Sequence, residues 1–227
     1  MIFVPGLPTV IGTPNAGAGA TVTIPTHRAG DLIVIFAYRD GSNTAPSLPT
    51  GYTNIATGGA NTNSSRAGYK IALSSGETSG TWTNATHCVA YVIRQFDNIN
   101  PIGNSLRSSG ASTTVTYGAV SPLKDQDGKS LMIGFAGHRS VDTNLQTAPT
   151  GMTNNVNFVN ATSEVSGHSG YSADWPSTNV AVAGTSSGWE TIVIEIRDPK
   201  FVAPVLNGGA RAPVGNAGIL GINSGMG

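Results

Sequence analysis

The residues of this chain that could carry chemistry are few and scattered. The four histidines, His27, His87, His138 and His168, stand apart from one another, and none has a cysteine or carboxylate at the spacing of a metal site. The single cysteine, Cys88, directly follows His87. Adjacent residues of a strand point to opposite faces, so we expect a buried structural thiol and not a Cys–His nucleophile.

Two pairs of carboxylates are the next candidates. Asp125 and Asp127 precede Gly128, which is compatible with a partial calcium loop. Further acidic ligands and flanking helices are missing, so a solvated turn is the preferred interpretation. Asp97 and Asp198 follow matching strand ends, and a glycosidase would need two such carboxylates to face each other across a groove. Their equivalence in the repeat described below explains their positions more simply.

Enzyme signatures are absent from the sequence. It contains no G-x-S-x-G turn, no H-E-x-x-H motif and no Walker loop. We therefore predict a protein that is not an enzyme and needs no cofactor or metal.

The sequence Trp175-Pro176 lies in a predicted loop, which makes Trp175 the best candidate for an exposed aromatic ring that stacks on a glycan. For the aromatic side chains as a group, packing in a core or an interface is the preferred interpretation.

Charge excludes several classes of partner. Charged residues form 11% of the chain, and 12 basic and 12 acidic side chains give a net charge of zero, whereas ordinary domains average roughly 25% charged residues. A neutral chain lacks the basic surface of nucleic-acid binders and the polybasic segments that bind membranes. We expect neither partner. A charge-poor surface favours association, which indicates coverage by neighbouring molecules in an assembly.

The sequence contains an internal repeat with an offset of 99 to 103 residues. The segment 32–37 (LIVIFA) returns at 131–136 (LMIGFA), 50–52 (TGY) at 150–152 (TGM), 68–69 (GY) at 170–171 (GY), and 93–94 (IR) at 196–197 (IR). The order is kept and the offset drifts slowly, as insertions in loops would produce. The repeat predicts two related β-layers.

Period-two alternation and short apolar runs predict an all-β fold. Predicted strands cover residues 20–24, 31–39, 66–73, 87–96, 112–117, 130–135, 152–159, 169–173, 180–183 and 190–197. We expect a jelly-roll-like antiparallel β-sandwich with an internal pseudo-repeat over residues 20–198. The alternative is two independent domains of about 100 residues each, but no linker-like segment separates the halves.

Two segments rich in Gly and Pro fall outside the repeat and form the predicted arms. They are an N-terminal arm, residues 1–19, and a C-terminal arm, residues 199–227. Their composition cannot bury a core of its own, so we expect them to lie extended along neighbouring subunits. The candidate assembly contacts are their apolar side chains, Phe3, Val4, Val205, Leu206, Ile219, Leu220 and Ile222.

Residues 20–197 resemble a recurring β-rich module of tailed-bacteriophage structural proteins and of some bacterial surface proteins. The module's pattern reads roughly GDLLL, PxGW, YxKxA and YRG. This chain has GDLIV at 30–34, PTGY at 49–52, YKI at 69–71 and VIR at 92–94, and its second half repeats the theme with GKSL at 128–131 and PTGM at 149–152. Tyr52 stands in place of the usual Trp, and Gln95 in place of the Gly after Arg94.

The resemblance implies a β-sandwich in a virion or on a surface, without catalytic residues. We expect a bacteriophage structural protein, located in the virion as a capsid decoration protein that its arms attach to capsid or tail proteins and to its own copies. A cyclic trimer is one compatible assembly. The alternative is a tail-fibre or surface adhesin that binds host glycan through Trp175. A glycan-cleaving enzyme is a third and weaker interpretation.

Overall fold

The computed structural model describes residues 6–140, 145, 147–172, 174–181 and 186–199, and this part of the chain is an all-β antiparallel sandwich. Its strands are β1 (Thr9–Val10), β2 (Asn15–Ala18), β3 (Leu32–Asp40), β4 (Thr53–Ala60), β5 (Asn63–Ile71), β6 (His87–Arg94), β7 (Ile102–Ser112), β8 (Thr114–Tyr117), β9 (Leu131–His138), β10 (Thr153–Val159), β11 (Glu164–Tyr171), β12 (Thr178–Ala181) and β13 (Ser187–Ile196).

The strands form two large sheets and one small one. Sheet I has the order β1-β6-β3-β5-β4, and β2 also pairs with β6. Sheet II has the order β10-β11-β9-β13-β7, and β8 pairs with β12. Each half of the repeat therefore supplies one sheet. The finer prediction of a jelly-roll winding is not confirmed by this strand order.

The two sheets repeat each other strand for strand. The path β6-β3-β5-β4 in sheet I matches β13-β9-β11-β10 in sheet II. The registers agree at corresponding positions: Leu32 pairs with Ile93 and Ile71, and Leu131 pairs with Ile196 and Tyr171. The internal repeat is thus confirmed, with one correction. Tyr171 corresponds to Ile71, so the sequence match of 68–69 with 170–171 is wrong by two residues.

The turns and bulges are repeated as well. Gly51 and Gly151 have φ of 87° and 85°, a conformation that favours glycine. The amide of residue 52 donates to the Pro49 carbonyl at 3.2 Å, and the amide of Met152 donates to the Pro149 carbonyl at 2.9 Å. These are the predicted tight turns. A register shift follows at the same place in both halves, at residues 55 and 155.

Three apolar clusters hold the sandwich together. The central cluster lies between the sheets, where Phe36 stacks on Phe135 with ring centroids 5.2 Å apart. A second cluster covers the outer face of sheet I around Trp82, and a third covers the outer face of sheet II around Trp175. Because both faces of β3 and β9 are buried, these strands read as continuous apolar runs in the sequence.

Several predicted elements need correction. Strands β1 and β2 pair with β6, so much of the predicted N-terminal arm belongs to the sandwich. Residues 20–24 form no strand, whereas β4 and β7 exist without a sequence prediction. The rest of the two arms, residues 1–5 and 200–227, lies outside the described residues, as do all seven predicted assembly contacts.

The sandwich has two chemically different ends. We call the end where β3 and β9 begin the exit end, because Gly6 and Pro199, the first and last described residues, both line one cavity there. We call the opposite end, where β3 and β9 finish, the polar end. It carries buried polar side chains such as Tyr38, His138 and Glu190.

Candidate functional site

The isolated histidines and the cysteine do not form a reactive centre. Cys88 lies in the outer cluster of sheet I, and burial raises the pKa of its thiol to about 12. His87 is on the opposite, inner face, where its ring contacts Tyr38 and Phe158. Burial lowers the pKa of His87 to about 4, so this imidazole is neutral. The expected structural thiol is consistent with this environment.

Three of the four carboxylates in the predicted acidic pairs contact cations of the chain itself. The Asp125 carboxylate accepts hydrogen bonds from Arg197 at 3.3 and 3.5 Å, and Asp127 lies 3.1 Å from Lys129 Nζ. Asp97 accepts hydrogen bonds from the Ile99 and Asn100 amides. No group of three or more His, Cys, Asp or Glu side chains arranged for a metal ion occurs in the described part of the chain.

Asp97 also joins the two halves of the repeat. Its Oδ2 lies 3.4 Å from Arg197 Nη1, and its amide donates to the Arg197 carbonyl. Both Asp97 and Asp198 are buried, at 7% and 8% exposure. A glycosidase pair must flank an open groove, so the two residues fit a structural role better.

Trp175 is not the exposed platform that the sequence suggested. Its side chain is 2% exposed and packs in the outer cluster of sheet II. Its carbonyl accepts the Val120 amide at 2.8 Å. A buried indole has no face to offer to a glycan, so the candidate glycan contact at Trp175 is wrong and the preferred core packing holds for this side chain. The loop folds back over sheet II and serves as cover for that sheet.

Two buried glutamates that sequence reasoning missed organise the interior. The Glu195 carboxylate, fully buried, accepts hydrogen bonds from the amides of Asn104, Lys124 and Asp125 at 2.9 Å each and from the Ser130 hydroxyl at 3.0 Å. These donors satisfy the buried carboxylate oxygens and fix the segment before β9 against β13. The sequence signal was an isolated carboxylate inside an aliphatic strand.

Glu190 links the two sheets at the polar end. It accepts hydrogen bonds from Arg107 on β7 and from Ser65 on β5, the latter at 3.1 Å. Burial raises the pKa of Glu190 to about 7, and the contacts with Arg107 and Ser65 only partly oppose this. A second contact between the sheets lies nearby, where Arg139 Nε donates to Asp40 Oδ1 at 2.6 Å.

A serine and a histidine also meet on β11. Ser166 Oγ lies 3.0 Å from His168 Nε2, and burial lowers the pKa of His168 to about 4. The distance between the serine hydroxyl and the imidazole is that of a catalytic Ser–His pair, but the surroundings are not. Both side chains are fully buried beneath the outer cluster of sheet II, so no substrate reaches them in this conformation.

A concave surface beside sheet I is lined in part by hydroxyl side chains, and we call it the polar groove. This polar groove has a volume of about 750 Å³ and is lined by β2 and by the segments 21–24 and 75–81. His27 shapes it: its Nδ1 lies 2.8 Å from the Pro25 carbonyl, and its Nε2 accepts the Glu77 amide at 3.1 Å. Six of its lining residues carry a hydroxyl group, among them Thr21 and Thr78.

The exit end combines a cavity with both ends of the described chain. A cavity of about 250 Å³ is lined by Gly6, Pro199, Asp31 and Arg94, among others. Arg94 donates two hydrogen bonds of 2.7 Å to Asp31. Burial disfavours the charge on Asp31, but the hydrogen bonds from Arg94 and from the Arg28 amide outweigh it and lower the pKa of Asp31.

These features define a duplicated antiparallel β-sandwich whose buried charges serve as structural cross-links. No family model matches the sequence, and no curated protein or solved structure matches it. Within the described residues, the structure contains no helix long and apolar enough to cross a lipid bilayer.

Proposed function

We propose that this chain is a non-enzymatic structural protein of a bacteriophage particle, a head decoration protein that its terminal segments attach to capsid or tail proteins. One observation carries the proposal: Gly6 and Pro199 line the same cavity, so the described part of the chain begins and ends at the same end of the sandwich. A rigid body with both tethers at one end suits attachment to a surface. The low charge of the chain and its resemblance to phage modules support the same role.

The buried ion pairs and hydrogen bonds that cross-link the sandwich also support this proposal. Arg94–Asp31 and Arg197–Asp97 brace the exit end, and Glu190 and Arg139 connect the sheets at the polar end. Buried carboxylates that are saturated with structural hydrogen bonds are suited to rigidity. In this role the partners are other virion proteins and further copies of the chain, and the protein resides in the virion.

The test is the protein content of purified particles. Mass spectrometry of particles purified from cultures that produce this chain should find it in stoichiometric amounts. Deleting residues 207–227 should remove it from the particles, while circular dichroism and the melting temperature of the truncated protein stay unchanged. Particles that lack the full chain, or that retain the folded truncated form, would show that the proposal is wrong.

The polar groove favours one alternative, an adhesin that binds host glycan. A surface with six hydroxyl side chains can hydrogen-bond a sugar, although it lacks the aromatic platform usual in such sites. Glycan-array binding that is lost in Thr21→Val with Thr78→Val, and kept in the exposed control Thr113→Val, would favour the adhesin over the virion role.

A further inference from the structure

The polar groove borders a segment that has a counterpart in the second half of the repeat. Residues 21–24 read TVTI, and β8, at 114–117, reads TVTY. Each segment follows a strand that pairs with the last strand of its own half, β2 with β6 and β7 with β13. Val22 packs in the outer cluster of sheet I, and Val115 packs in that of sheet II. The two segments therefore hold equivalent places on the two sheets.

The two segments differ in their pairing. β8 pairs with β12 along its whole length, and Val115 lies opposite Val180 in this pair. Both valines pack in the outer cluster of sheet II. Residues 21–24, in contrast, form no strand and pair with none of the described strands. The position that β12 fills beside β8 thus holds no strand of the described chain beside residues 21–24.

The length of one connection explains this difference. Residues 176–186 connect Trp175, in the outer cluster of sheet II, to β13, and they contain β12. The corresponding connection in the first half, residues 83–86, joins Trp82 of the other outer cluster to β6. It is too short to form a strand and return to the sheet. The first half therefore has the position of the strand without the strand itself.

The main chain of residues 21–24 has hydrogen-bonding groups to offer to such a strand. The Val22 amide donates to a side chain, Ser79 Oγ, at 3.1 Å. The Val22 carbonyl and the Ile24 amide make no hydrogen bond with any other described residue. An added antiparallel strand supplies main-chain donors and acceptors to groups of this kind.

The pairing of β8 indicates which residues would bond to an added strand. The Thr116 carbonyl turns towards β13, where it accepts the Thr191 hydroxyl at 2.7 Å. The side chains of Thr116 and Asn179 meet at 2.8 Å, as side chains do in the non-hydrogen-bonded pairs of an antiparallel ladder. The residues on either side of Thr116 therefore bond to β12, and their counterparts in the first half are Val22 and Ile24.

The groove has the room and the chemistry for an uncharged strand. Its volume is about 750 Å³, and it is lined by β2, residues 21–24 and residues 75–81. Val22 and Ile24 give it apolar contacts, because both pack with the outer cluster of sheet I. The Glu77 carboxylate in its lining is paired with Lys70 at 2.8 Å. β12, with the sequence TNVA, carries no charge either.

We infer that the polar groove binds an extended peptide segment of another protein, which pairs with residues 21–24 as β12 pairs with β8. In strand addition, main-chain hydrogen bonds give affinity and alternate side chains give selectivity. The segment that fits is uncharged and places a small aliphatic side chain opposite Val22. One of its carbonyl groups replaces the Ser79 hydroxyl as the acceptor of the Val22 amide. The inference goes beyond the proposed virion role and does not depend on it.

The experiment follows the binding of a fluorescently labelled peptide to the full-length chain by anisotropy. The probe is PSTNVAVA, the sequence of residues 176–183, and it should bind saturably. Methylation of the amide nitrogen of Val180 in the peptide should abolish binding, because this amide would donate to the Val22 carbonyl. The same change at Asn179, whose amide would point away from residues 21–24, is the matched control and should preserve binding.

A substitution in the groove gives a second test. Ala16 packs with the central cluster, so the adjacent Gly17 faces the outer side of sheet I. Gly17 lines the groove, and a Cβ atom added to it would meet no heavy atom within 4 Å. Gly17→Trp should therefore fill the groove and abolish peptide binding. Thr113→Trp, at an exposed position outside the groove, should bind the peptide like the wild type, and both variants should melt close to the wild-type temperature.

Three results would overturn the inference: no binding of the peptide, equal binding of the two methylated peptides, or equal binding by Gly17→Trp and Thr113→Trp. Binding that appears only after deletion of residues 207–227 would assign the groove to the chain's own C-terminal segment, and it would also contradict a partner from another protein. The presence of the chain in purified particles is measured separately, so failure of this inference leaves the proposed virion role standing.

Discussion

At the scale of single residues, buried carboxylates explain more of this molecule than its histidines or its cysteine. Glu195 is saturated by four donors, and Glu190 bridges two sheets with a partner from each. Glu190 has few donors for a buried carboxylate, and burial raises its pKa to about 7, so it binds a proton more readily than an ordinary glutamate. Glu190 is therefore the residue whose protonation should affect stability at ordinary pH.

We predict that Glu190 makes the fold more stable at mildly acidic pH than at neutral pH. Its pKa is about 7 in the folded chain and 4.5 as its ordinary value, so the folded state holds the proton more tightly. The resulting stabilisation is complete below pH 4.5 and is lost as the pH rises through 7. The separation of the two pKa values corresponds to roughly 3 kcal/mol.

The measurement is urea unfolding of the wild type and Glu190→Gln between pH 4.5 and 8. Other groups titrate too, so the quantity to follow is the difference in unfolding free energy between the two proteins. From pH 4.5 to pH 8, the free energy of unfolding of the wild type should fall by roughly 3 kcal/mol relative to that of Glu190→Gln. Glu77→Gln, whose carboxyl pKa is lowered by Lys70, should show no such change. A wild-type–Glu190→Gln difference that is constant with pH would contradict the assignment.

At the scale of elements, the sequence predicted strands that carry an apolar pattern and missed strands that are held by pairing. β3 and β9 were predictable because burial on both faces demands an apolar run. β7 contains Gly, Ser and Asn, and it exists because it pairs along nearly all of β13. Residues 20–24 alternate, yet they cross the outer face of sheet I, where Val22 packs as cover.

The position of Trp175 likewise depends on packing that the local sequence does not show. Local pattern shows that Trp175-Pro176 is a connection, but it does not show on which face of the sandwich the connection lies. The structure places it over sheet II, with Met152 and Tyr117 in the same cluster. The turns Pro49-Thr50-Gly51 and Pro149-Thr150-Gly151 were predictable because a tight turn depends on its own residues and not on distant ones.

Spacing between the sheets is set by close contacts at glycines, and this gives a prediction for β9. A Cβ atom added at Gly137 would lie 2.3 Å from Tyr38 Cδ2, across the sandwich. Tyr38 is fully buried, so it has little room to move. Gly137→Ala should destabilise the fold by about 1–3 kcal/mol through overpacking.

Chemical denaturation of Gly137→Ala and Gly17→Ala provides the comparison. A Cβ atom at Gly17, on β2, would meet no heavy atom within 4 Å. Gly17→Ala should therefore leave the free energy of unfolding unchanged within about 0.5 kcal/mol. Equal effects of the two substitutions would mean that contact across the sandwich does not limit the spacing of the sheets.

At the scale of the whole molecule, the central cluster belongs to both halves of the repeat. It contains Leu32, Val34 and Phe36 from the first half and Ile133 and Phe135 from the second. Neither sheet can bury its inner face without the other. The repeat alone allowed either one shared sandwich or two separate domains, and the shared cluster is the physical reason for choosing one unit.

A shared core predicts that damage in one half spreads to the other. Phe135→Ala removes the ring that stacks on Phe36 at 5.2 Å and should cost about 3–5 kcal/mol. Hydrogen exchange under native conditions should then speed up in β3 and β6 of sheet I as much as in β9 and β13 of sheet II, because the strands open in one cooperative step. Faster exchange confined to sheet II would mean that the halves unfold independently, and each sheet would then have to be stable around its own outer cluster.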